Sequence, residues 1–379
     1  MSHDVVISGA GLWKPEHVIS NAELVESYNA WAERFNAEHA AAIEAGEVEA
    51  KPASSVEFIE MASGIRQRYA YVKDGILDVT RMRPRIPRRA EDALSHQAEI
   101  ALNAARPALA AAGRLDGDGR AVGVDMVIVS CAYTERSYPA IAIEVQHALG
   151  IEGFGFDMLV ACSAATFALQ RAVDAIQAGS AQAVLVINPE LTSPQVNYTD
   201  RDSHFIFGDV STAVVLERAE DARGEHRYQV LGSRARTLYS NNIRSNFGYV
   251  AHAEDVDPFG PANLFHQNGR RVFKEVCPMA AEHLEQQIAA VGLDTGDVAR
   301  WWLHQANLNM NQLIVRRLLG RDADPAEAPI VLDEFANTAS AGSIIAFCLH
   351  HEDLAPGDHG VICSFGAGYS IGSLVVRKL

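Results

Sequence analysis

Short runs of apolar, often β-branched residues alternate along the chain with longer helix-like stretches. Such runs are typical of buried β-strands, whereas the longer stretches indicate helices. Strands are predicted at residues 5–8, 126–130, 183–187, 213–216, 300–303, 360–364 and 373–376. Helices are predicted at residues 95–112, 140–149, 163–178, 270–291, 310–319 and 340–350. This alternation predicts an α/β fold whose strands are mostly buried.

Three pairs of segments resemble each other across the chain. Residues 208–216 and 366–376 each contain a glycine turn followed by an apolar strand. Residues 161–163 and 336–338 each precede a helix, and residues 124–130 resemble residues 298–304. Repeated supersecondary order explains the length without two unrelated domains. We therefore predict two similar halves, residues 1–219 and 220–379, that meet near the polar segment 218–228.

Two segments interrupt this order. Residues 29–52 are rich in Ala and Glu and predict a helical insertion, whereas residues 81–89 (RMRPRIPRR) predict an Arg/Pro loop. Both are expected to be additions to the core.

Composition narrows the function. The chain has 379 residues, of which 48% are apolar and 21% charged, as in ordinary globular proteins. Its net charge of -16 opposes binding to nucleic acid or to anionic membranes. The longest apolar runs fall far short of the roughly 20 residues that a membrane span needs. The N-terminus lacks the ordered features of a secretory signal, so a cytoplasmic location is expected.

The cysteines offer one candidate nucleophile. The five are widely spread and form no C-x-x-C motif, which argues against a disulfide framework and against a zinc site. Cys162 lies where an apolar strand-like run gives way to an apolar helix. The positive end of a helix dipole lowers a thiol pKa, so Cys162 is predicted to be a reactive thiolate. The alternative is a small buried side chain without chemistry.

Three further features lie at similar junctions. His304 follows a predicted strand, Asn337 precedes a predicted helix, and Gly366-Ala367-Gly368 forms a turn after a strand. Taken singly, they also suit a core histidine, a helix N-cap and an ordinary turn. Together with Cys162 they form an acyl-transfer constellation: a thiolate, two hydrogen-bond donors and backbone N–H groups for an oxyanion.

The ordered set of motifs resembles the β-ketoacyl-acyl-carrier-protein synthase III family of the thiolase superfamily. It comprises residues 7–11, 20–24, 63–68, the Cys162 segment, and residues 207–209, 304–307, 337–343 and 365–368. The resemblance implies a thiolase-like, pseudo-duplicated five-layer αβαβα fold. It also implies decarboxylative Claisen condensation of an acyl-CoA with malonyl-acyl carrier protein to give a 3-oxoacyl carrier protein.

By this resemblance, Cys162 is the acyl-accepting nucleophile. His304 and Asn337 bind the malonyl thioester carbonyl, and the N–H groups of Cys162 and Ala367 form the oxyanion hole. No metal or other cofactor is needed, because decarboxylation itself generates the nucleophile. Fatty acid biosynthesis in the cytoplasm is the expected context.

The resemblance also assigns binding residues. Those for the CoA thioester are Phe58, Arg66, Arg201, Phe207, Asn307 and Phe365. Phe58 replaces the usual adenine-stacking Trp and Ala62 replaces an Arg, so CoA binding is expected to differ in detail. Carrier-protein docking is assigned to Lys274, Arg316 and Arg317, which supply local positive charge for an acidic partner.

Acyl length and oligomeric state are implied by the resemblance alone. Tyr138 aligns with an aromatic residue that reaches across the homodimer interface to limit acyl length. The two insertions exceed those of the acetyl-preferring form, so a medium-chain primer is expected.

Three alternatives remain open at this stage. Condensation of two acyl-CoAs would normally require a catalytic glutamate near Cys162, and a glutamate farther away in the sequence, such as Glu144, leaves this alternative open. A simple acyl transferase or thioesterase would need only the acylation step. A non-catalytic partner subunit would need none of these side chains.

Overall fold

The computed structural model describes residues 3–245 and 264–379. Its strands are β1 (Val5–Trp13), β2 (His17–Ser20), β3 (Gln67–Ala70), β4 (Met126–Cys131), β5 (Phe154–Leu159), β6 (Ala183–Glu190), β7 (Val210–Arg218), β8 (Tyr228–Ser240), β9 (Ile243–Ser245), β10 (Phe265–Gln267), β11 (Val298–Leu303), β12 (His359–Gly366) and β13 (Gly368–Lys378). Its helices are α1 (Asn21–Glu38), α2 (Ala40–Glu44), α3 (Val56–Ser63), α4 (His96–Ala111), α5 (Ile141–Leu149), α6 (Ala164–Gln177), α7 (Gly269–Ala290), α8 (Leu308–Leu319), α9 (Leu332–Phe335) and α10 (Gly342–Leu349).

The central sheet has an internal repeat. Its strand order is β11-β12-β13-β8-β1-β7-β6-β4-β5. In the first half, the parallel pair β4–β6 is followed across the sheet by the antiparallel pairs β6–β7 and β7–β1. In the second half, the parallel pair β11–β12 is followed in the same way by the antiparallel pairs β12–β13 and β13–β8. The halves join where β1 pairs with β8 at Val6 and Ile7. The fold is therefore α/β and pseudo-duplicated, as predicted.

The two halves of this sheet form two layers, and helices outside and between them form the other three. Helices α4 and α5 pack outside the first half, and α7 and α8 pack outside the second. Helices α6 and α10 lie between the halves and contact strands of both. Strands β4 and β6 are buried along their whole length, because helices cover both of their faces.

The predicted elements of the core are all present, with shifted ends. The segment 29–52 is helical only in part, because α1 and α2 end before residue 45, and residues 81–89 form a loop. Strand β8 was not predicted, and β5 appeared in the sequence only as the strand-like run before Cys162. Strand β5 is a half-exposed sheet edge, and most residues of β8 are only partly buried or exposed, so neither reads as a continuous buried run. The boundary between residues 219 and 220 stays a prediction.

Candidate active site

Cys162 lies in a short 3-10 turn, residues Ala161–Ser163, between β5 and α6. Ala161 has a φ of 45°, a strained conformation for a residue with a side chain. The turn is fixed by Ser163, whose Oγ donates to the Ser370 carbonyl at 2.9 Å. Gly366 packs directly against Cys162 from the end of β12. The nucleophile candidate is therefore held by both halves of the fold.

The electrostatic setting of Cys162 differs from the sequence prediction. Burial raises the pKa of the thiol to about 12, and the nearby Glu190 carboxylate acts in the same direction. The N–H groups of Ala367 and Cys162 oppose this shift but do not overcome it. The prediction of a lowered pKa is wrong for the free protein, because removal of the thiolate from water outweighs the helix terminus.

His304 follows β11 and is 1% exposed. Its backbone N–H donates to the Cys363 carbonyl at 2.8 Å, and its ring meets the edge of Phe365 with centroids 5.3 Å apart. Burial lowers the pKa of His304 to about 3, so the imidazole is neutral at physiological pH. Nδ1 is buried without a partner among the described residues, which leaves Nε2 as the nitrogen available to a substrate.

Asn337 follows α9 and Ala336, whose φ is 58°. The side-chain Oδ1 accepts a hydrogen bond from the Ala339 N–H at 2.9 Å. This bond assigns the amide orientation and leaves the two N–H donors of Nδ2 for a ligand. Asn337 therefore fixes the turn before the next helix through Oδ1 and also presents donors to the site, although the N-cap position itself belongs to Thr338.

One cavity of about 1100 Å³ brings these side chains together. Cys162, His304 and Asn337 all line it. The predicted binding residues that also line it are Phe58, Phe207, Asn307 and Phe365. Its volume is that of a small-molecule site, and much of its wall is aromatic or aliphatic.

Other predicted residues lie around this cavity rather than in its wall. The Ala367 N–H donates a hydrogen bond to the Cys162 sulfur, which lowers the pKa of the thiol. Arg201 stacks on Phe58, with its guanidinium carbon 3.7 Å from the ring centroid. Arg66 is exposed and absent from the cavity lining. Tyr138 is 84% exposed and does not line this cavity. Their predicted roles stay predictions.

The three predicted docking residues are exposed on neighbouring helices. Lys274 lies on α7, and Arg316 and Arg317 lie on α8, which packs against α7. Arg316 pairs with Asp322 at 2.5 Å. The patch therefore carries accessible positive charge, part of which is already balanced.

A buried carboxylate, Glu190, was missed by the sequence reasoning. Its Oε1 accepts hydrogen bonds from the N–H and Oγ of Ser340, and its Oε2 accepts one from the Ala132 N–H at 3.1 Å. Burial raises its pKa to about 7. The only available signal was a glutamate three residues after the apolar run 183–187. Glu190 therefore ties the turn after Asn337 to the strand that ends beside the site.

Glu144, the glutamate considered for the two-acyl-CoA alternative, lies elsewhere. It is on α5, where Oε2 accepts from the Ser95 N–H at 2.7 Å, and it does not line the cavity.

No group of His, Cys, Asp and Glu side chains in residues 3–245 and 264–379 is arranged to hold a metal ion. Over the same ranges, no helix has the length and apolar character needed to cross a membrane.

Comparison with known proteins agrees with this architecture. Residues 156–237 match the family 3-Oxoacyl-[acyl-carrier-protein (ACP)] synthase III, and residues 288–378 match its C-terminal part. The chain is 52% identical over 354 residues to the beta-ketodecanoyl-[acyl-carrier-protein] synthase of Pseudomonas aeruginosa, covering 93% of this chain and 100% of that one. It is 33% identical over 286 residues to the beta-ketoacyl-[acyl-carrier-protein] synthase III of Rhodospirillum centenum, covering 74% and 83%.

The fold has the same relatives. The crystal structure of 3-oxoacyl-(acyl carrier protein) synthase III from Pseudomonas aeruginosa superimposes with a TM-score of 0.74 at 23% identity, covering 99% of this chain and 98% of that one. Fold and relatives together define a thiolase-type condensing acyltransferase. The chain belongs to the 3-oxoacyl-[acyl-carrier-protein] synthase III family.

Proposed function

We propose that this enzyme condenses a medium-chain acyl-CoA with malonyl-acyl carrier protein to give a 3-oxoacyl carrier protein and carbon dioxide. The observation that carries the proposal is the arrangement of Cys162, His304 and Asn337 around one cavity, with the Ala367 N–H on the Cys162 sulfur. A thiol next to backbone donors suits acyl transfer, and two further donors suit an enolate.

In the first half-reaction, the Cys162 thiolate attacks the thioester carbonyl of the acyl-CoA. The N–H groups of Cys162 and Ala367 stabilise the oxyanion. The C–S bond to CoA then breaks to give acyl-Cys162 and the CoA thiolate, which takes up from solvent a proton equivalent to the one that Cys162 lost. A thiol whose pKa is about 12 is almost wholly protonated at neutral pH. Attack therefore depends on deprotonation that accompanies binding, when the developing negative charge meets the two backbone donors.

In the second half-reaction, malonyl carrier protein occupies the cavity. His304 donates from Nε2 and Asn337 from Nδ2 to the malonyl thioester carbonyl. The C–C bond to the carboxylate breaks, carbon dioxide leaves, and the electron pair becomes an enolate. The enolate carbon then attacks acyl-Cys162 and releases the thiolate. The low pKa of His304 fits this role, because a neutral imidazole whose proton is on Nε2 donates that N–H to the carbonyl oxygen.

The proposed primer has eight carbons. The relative with 52% identity is named for a ketodecanoyl product, and condensation with malonyl adds two carbons to the primer. The apolar wall of the cavity, which includes Phe207, Val276 and Phe365, suits an alkyl chain of this kind.

The carrier protein is proposed to dock on the surface formed by Lys274, Arg316 and Arg317. These residues lie on α7 and α8, and both helices contribute residues to the cavity wall. Exposed cations steer an acidic partner toward the cavity even though the chain has a net charge of -16.

A homodimer formed through β5 is part of the proposal. Strand β5 is the edge of the central sheet, so one side of its backbone is available for pairing. Exposed apolar side chains lie on or near this edge: Tyr138, Ile143, Phe154 and Leu159. Pairing of two copies would cover them and allow Tyr138 to reach the partner's cavity.

Both substrates belong to cytoplasmic fatty acid synthesis, so we propose a cytoplasmic location. We also propose that the reaction needs no cofactor.

The test combines purified enzyme with malonyl carrier protein and acetyl-, butyryl-, octanoyl- or dodecanoyl-CoA, and measures 3-oxoacyl carrier protein by mass. We expect 3-oxodecanoyl carrier protein from octanoyl-CoA, and no product with Cys162→Ala. The His304→Ala and Asn337→Ala variants should still form acyl-Cys162 but not elongate it. Acylation without elongation in the wild type, or elongation only with a second acyl-CoA, would refute the proposed acceptor.

A further inference from the structure

The oxyanion N–H of Ala367 lies on a turn that is partly open to solvent. This turn joins β12 to β13, and it packs against Cys162 through Gly366. Ala367 is half-buried and Gly368 is exposed. The pairing of β12 with β13 ends at Gly366 and Ser370, and the tip of the turn lies beyond it. A donor on such a tip needs further contacts to keep a fixed direction toward the reacting atoms.

On one face of β13, Ser370 ties this tip to the turn that carries Cys162. The Oγ of Ser370 donates to the Ala367 carbonyl at 2.7 Å and lies 3.0 Å from the Ser163 Oγ. Ser163 in turn donates to the Ser370 carbonyl at 2.9 Å. Both serines are buried, and they belong to segments that are far apart in the chain. Their hydroxyls therefore link the two backbone turns that carry the oxyanion N–H groups.

On the opposite face, Tyr369 ties the same tip to α7. Successive residues of a strand point to opposite sides of the sheet, so Tyr369 and Ser370 contact different layers. Tyr369 is 2% exposed, and its hydroxyl donates to Glu275 Oε2 at 2.7 Å and accepts from the Asn242 amide at 2.9 Å. The same amide donates to Glu275 Oε2 at 3.0 Å. The three side chains therefore form a closed ring of hydrogen bonds between the turn, α7 and the segment that joins β8 to β9.

These contacts act on the turn and not on a bound substrate, because neither Ser370 nor Tyr369 lines the cavity. Buried hydroxyl groups that are fully bonded hold the backbone to which they are attached. An oxyanion donor is most effective when it is already aimed before the charge develops, since no reorganisation is then needed during the reaction.

We propose that Ser370 and Tyr369 are positioning residues that aim the Ala367 N–H at the oxyanion of the acylation step. We call these two residues the turn clamp. The proposal rests on the oxyanion hole of the proposed function and adds the side chains that fix its geometry.

The test measures formation of octanoyl-Cys162 from octanoyl-CoA in single turnovers by intact mass, without malonyl carrier protein. The clamp variants are Ser370→Ala and Tyr369→Phe, each of which removes one hydroxyl and keeps the rest of the side chain. The matched controls are Ser373→Ala and Tyr239→Phe. Ser373 is a buried serine farther along β13, and Tyr239 is an exposed tyrosine on β8.

We expect each clamp variant to lower the maximal rate of acylation about tenfold, which is less than the roughly 100-fold loss on removal of an oxyanion donor. The octanoyl-CoA concentration that gives half the maximal rate should stay unchanged, because the clamp does not line the cavity. Ser373→Ala should lower the midpoint of thermal unfolding, as Ser370→Ala does, and yet acylate at the wild-type rate. Tyr239→Phe should change neither quantity.

A second measurement needs no thioester. The Ala367 N–H opposes the rise in the pKa of the Cys162 thiol, so a misdirected N–H should slow alkylation by iodoacetamide at pH 8 about threefold. Peptide mass locates the modified cysteine. If no thioester acylates Cys162 in the wild type, the proposed function fails, whereas the alkylation rates of the clamp variants still test the proposal.

A double-mutant cycle tests the anchor on α7. Glu275→Ala removes the acceptor of the Tyr369 hydroxyl, so it should slow acylation as Tyr369→Phe does. The double variant should lose no more than either single variant, because both substitutions break the same bond. Glu275→Gln keeps a carbonyl oxygen for this bond and should restore most of the rate. Glu285→Ala, at an exposed position of the same helix, is the control.

Several results would overturn the proposal. Acylation and alkylation by Ser370→Ala within about twofold of the wild type would show that its hydroxyl does not aim the N–H. An equal rate loss in Ser373→Ala would show that any weakening of β13 has the same effect. A raised half-saturating concentration with an unchanged maximal rate would place the effect on CoA binding. Additive losses in the cycle of Tyr369 and Glu275 would show that these side chains act separately.

Discussion

Gly366→Ala should remove most of the activity by displacing the Cys162 sulfur. A Cβ at position 366 would lie 2.5 Å from the Cys162 Cβ and 3.0 Å from its Sγ. Carbon atoms in contact are normally about 3.5–4.0 Å apart, so Cys162 or β12 must move by about 1 Å. A displacement of this size at a reacting atom costs about 100-fold in rate. Excess volume in a packed site also costs about 1–3 kcal/mol of stability.

The assay is the rate of Cys162 octanoylation by intact mass, together with the free energy of unfolding from urea denaturation. Gly296→Ala is the matched control, because a Cβ there meets nothing within 4 Å and its backbone needs no positive φ. Gly366→Ala should lower both the acylation rate and the free energy of unfolding. A double-mutant cycle with Cys162→Gly shows how much of the lost stability comes from the collision with Cys162. That background removes the colliding atoms, so the stability lost in Gly366→Ala should be largely regained.

Acylation by Gly366→Ala within threefold of the wild-type rate would refute this reasoning. So would a loss of stability of the same size in the Cys162→Gly background, since the collision would then involve other atoms.

Three further predictions address the thiol, the buried carboxylate and the carrier-protein surface. Because burial raises the pKa of Cys162 to about 12, its thiolate fraction should rise about tenfold per pH unit from pH 6 to 9. The rate of alkylation by iodoacetamide in the free enzyme should follow this fraction, and a plateau in this range would contradict the raised pKa. Glu190→Gln places an amide N–H₂ against donors from Ser340 or Ala132, so the elongation rate should fall by at least tenfold and the free energy of unfolding by about 1–3 kcal/mol. Separate assays of acylation and elongation should show the larger loss in elongation. Equal losses would argue against a role through the Asn337 turn. Lys274→Glu and Arg317→Glu should each raise the KM for malonyl carrier protein about tenfold at low salt and less at high salt. Acylation by octanoyl-CoA should not change. Equal changes for both substrates would contradict a docking role.

Much of the core could be predicted because its strands are buried on both faces. Strands β4, β6 and β12 appear in the sequence as apolar runs, and the helices between them follow from the alternation. The resemblance between residues 161–163 and 336–338 has a structural counterpart, since Ala161 and Ala336 both have positive φ before a site residue. Residue type and position before a predicted helix had already made Cys162 and Asn337 candidates in the sequence.

Most of β8 could not be predicted from the same pattern, and the edge strand β5 appeared only as the strand-like run before Cys162. Residues 234–240 of β8 are largely polar and exposed, and their strand conformation depends on pairing with β13. Partners far apart in the chain decide such segments, because their own side chains bury too little apolar surface to do so.

The sequence by itself determined the α/β alternation, the internal repeat and the identities of the candidate nucleophile and hydrogen-bond donors, because these depend on local pattern and residue chemistry. Only the tertiary structure decided the electrostatics. The helix terminus beside Cys162 predicts a lowered pKa, yet burial raises it. The same packing keeps His304 neutral, places Glu190 behind the Asn337 turn and stacks Arg201 on Phe58. Desolvation and contact between distant segments have no local signature, since both arise only when the two halves close around one cavity.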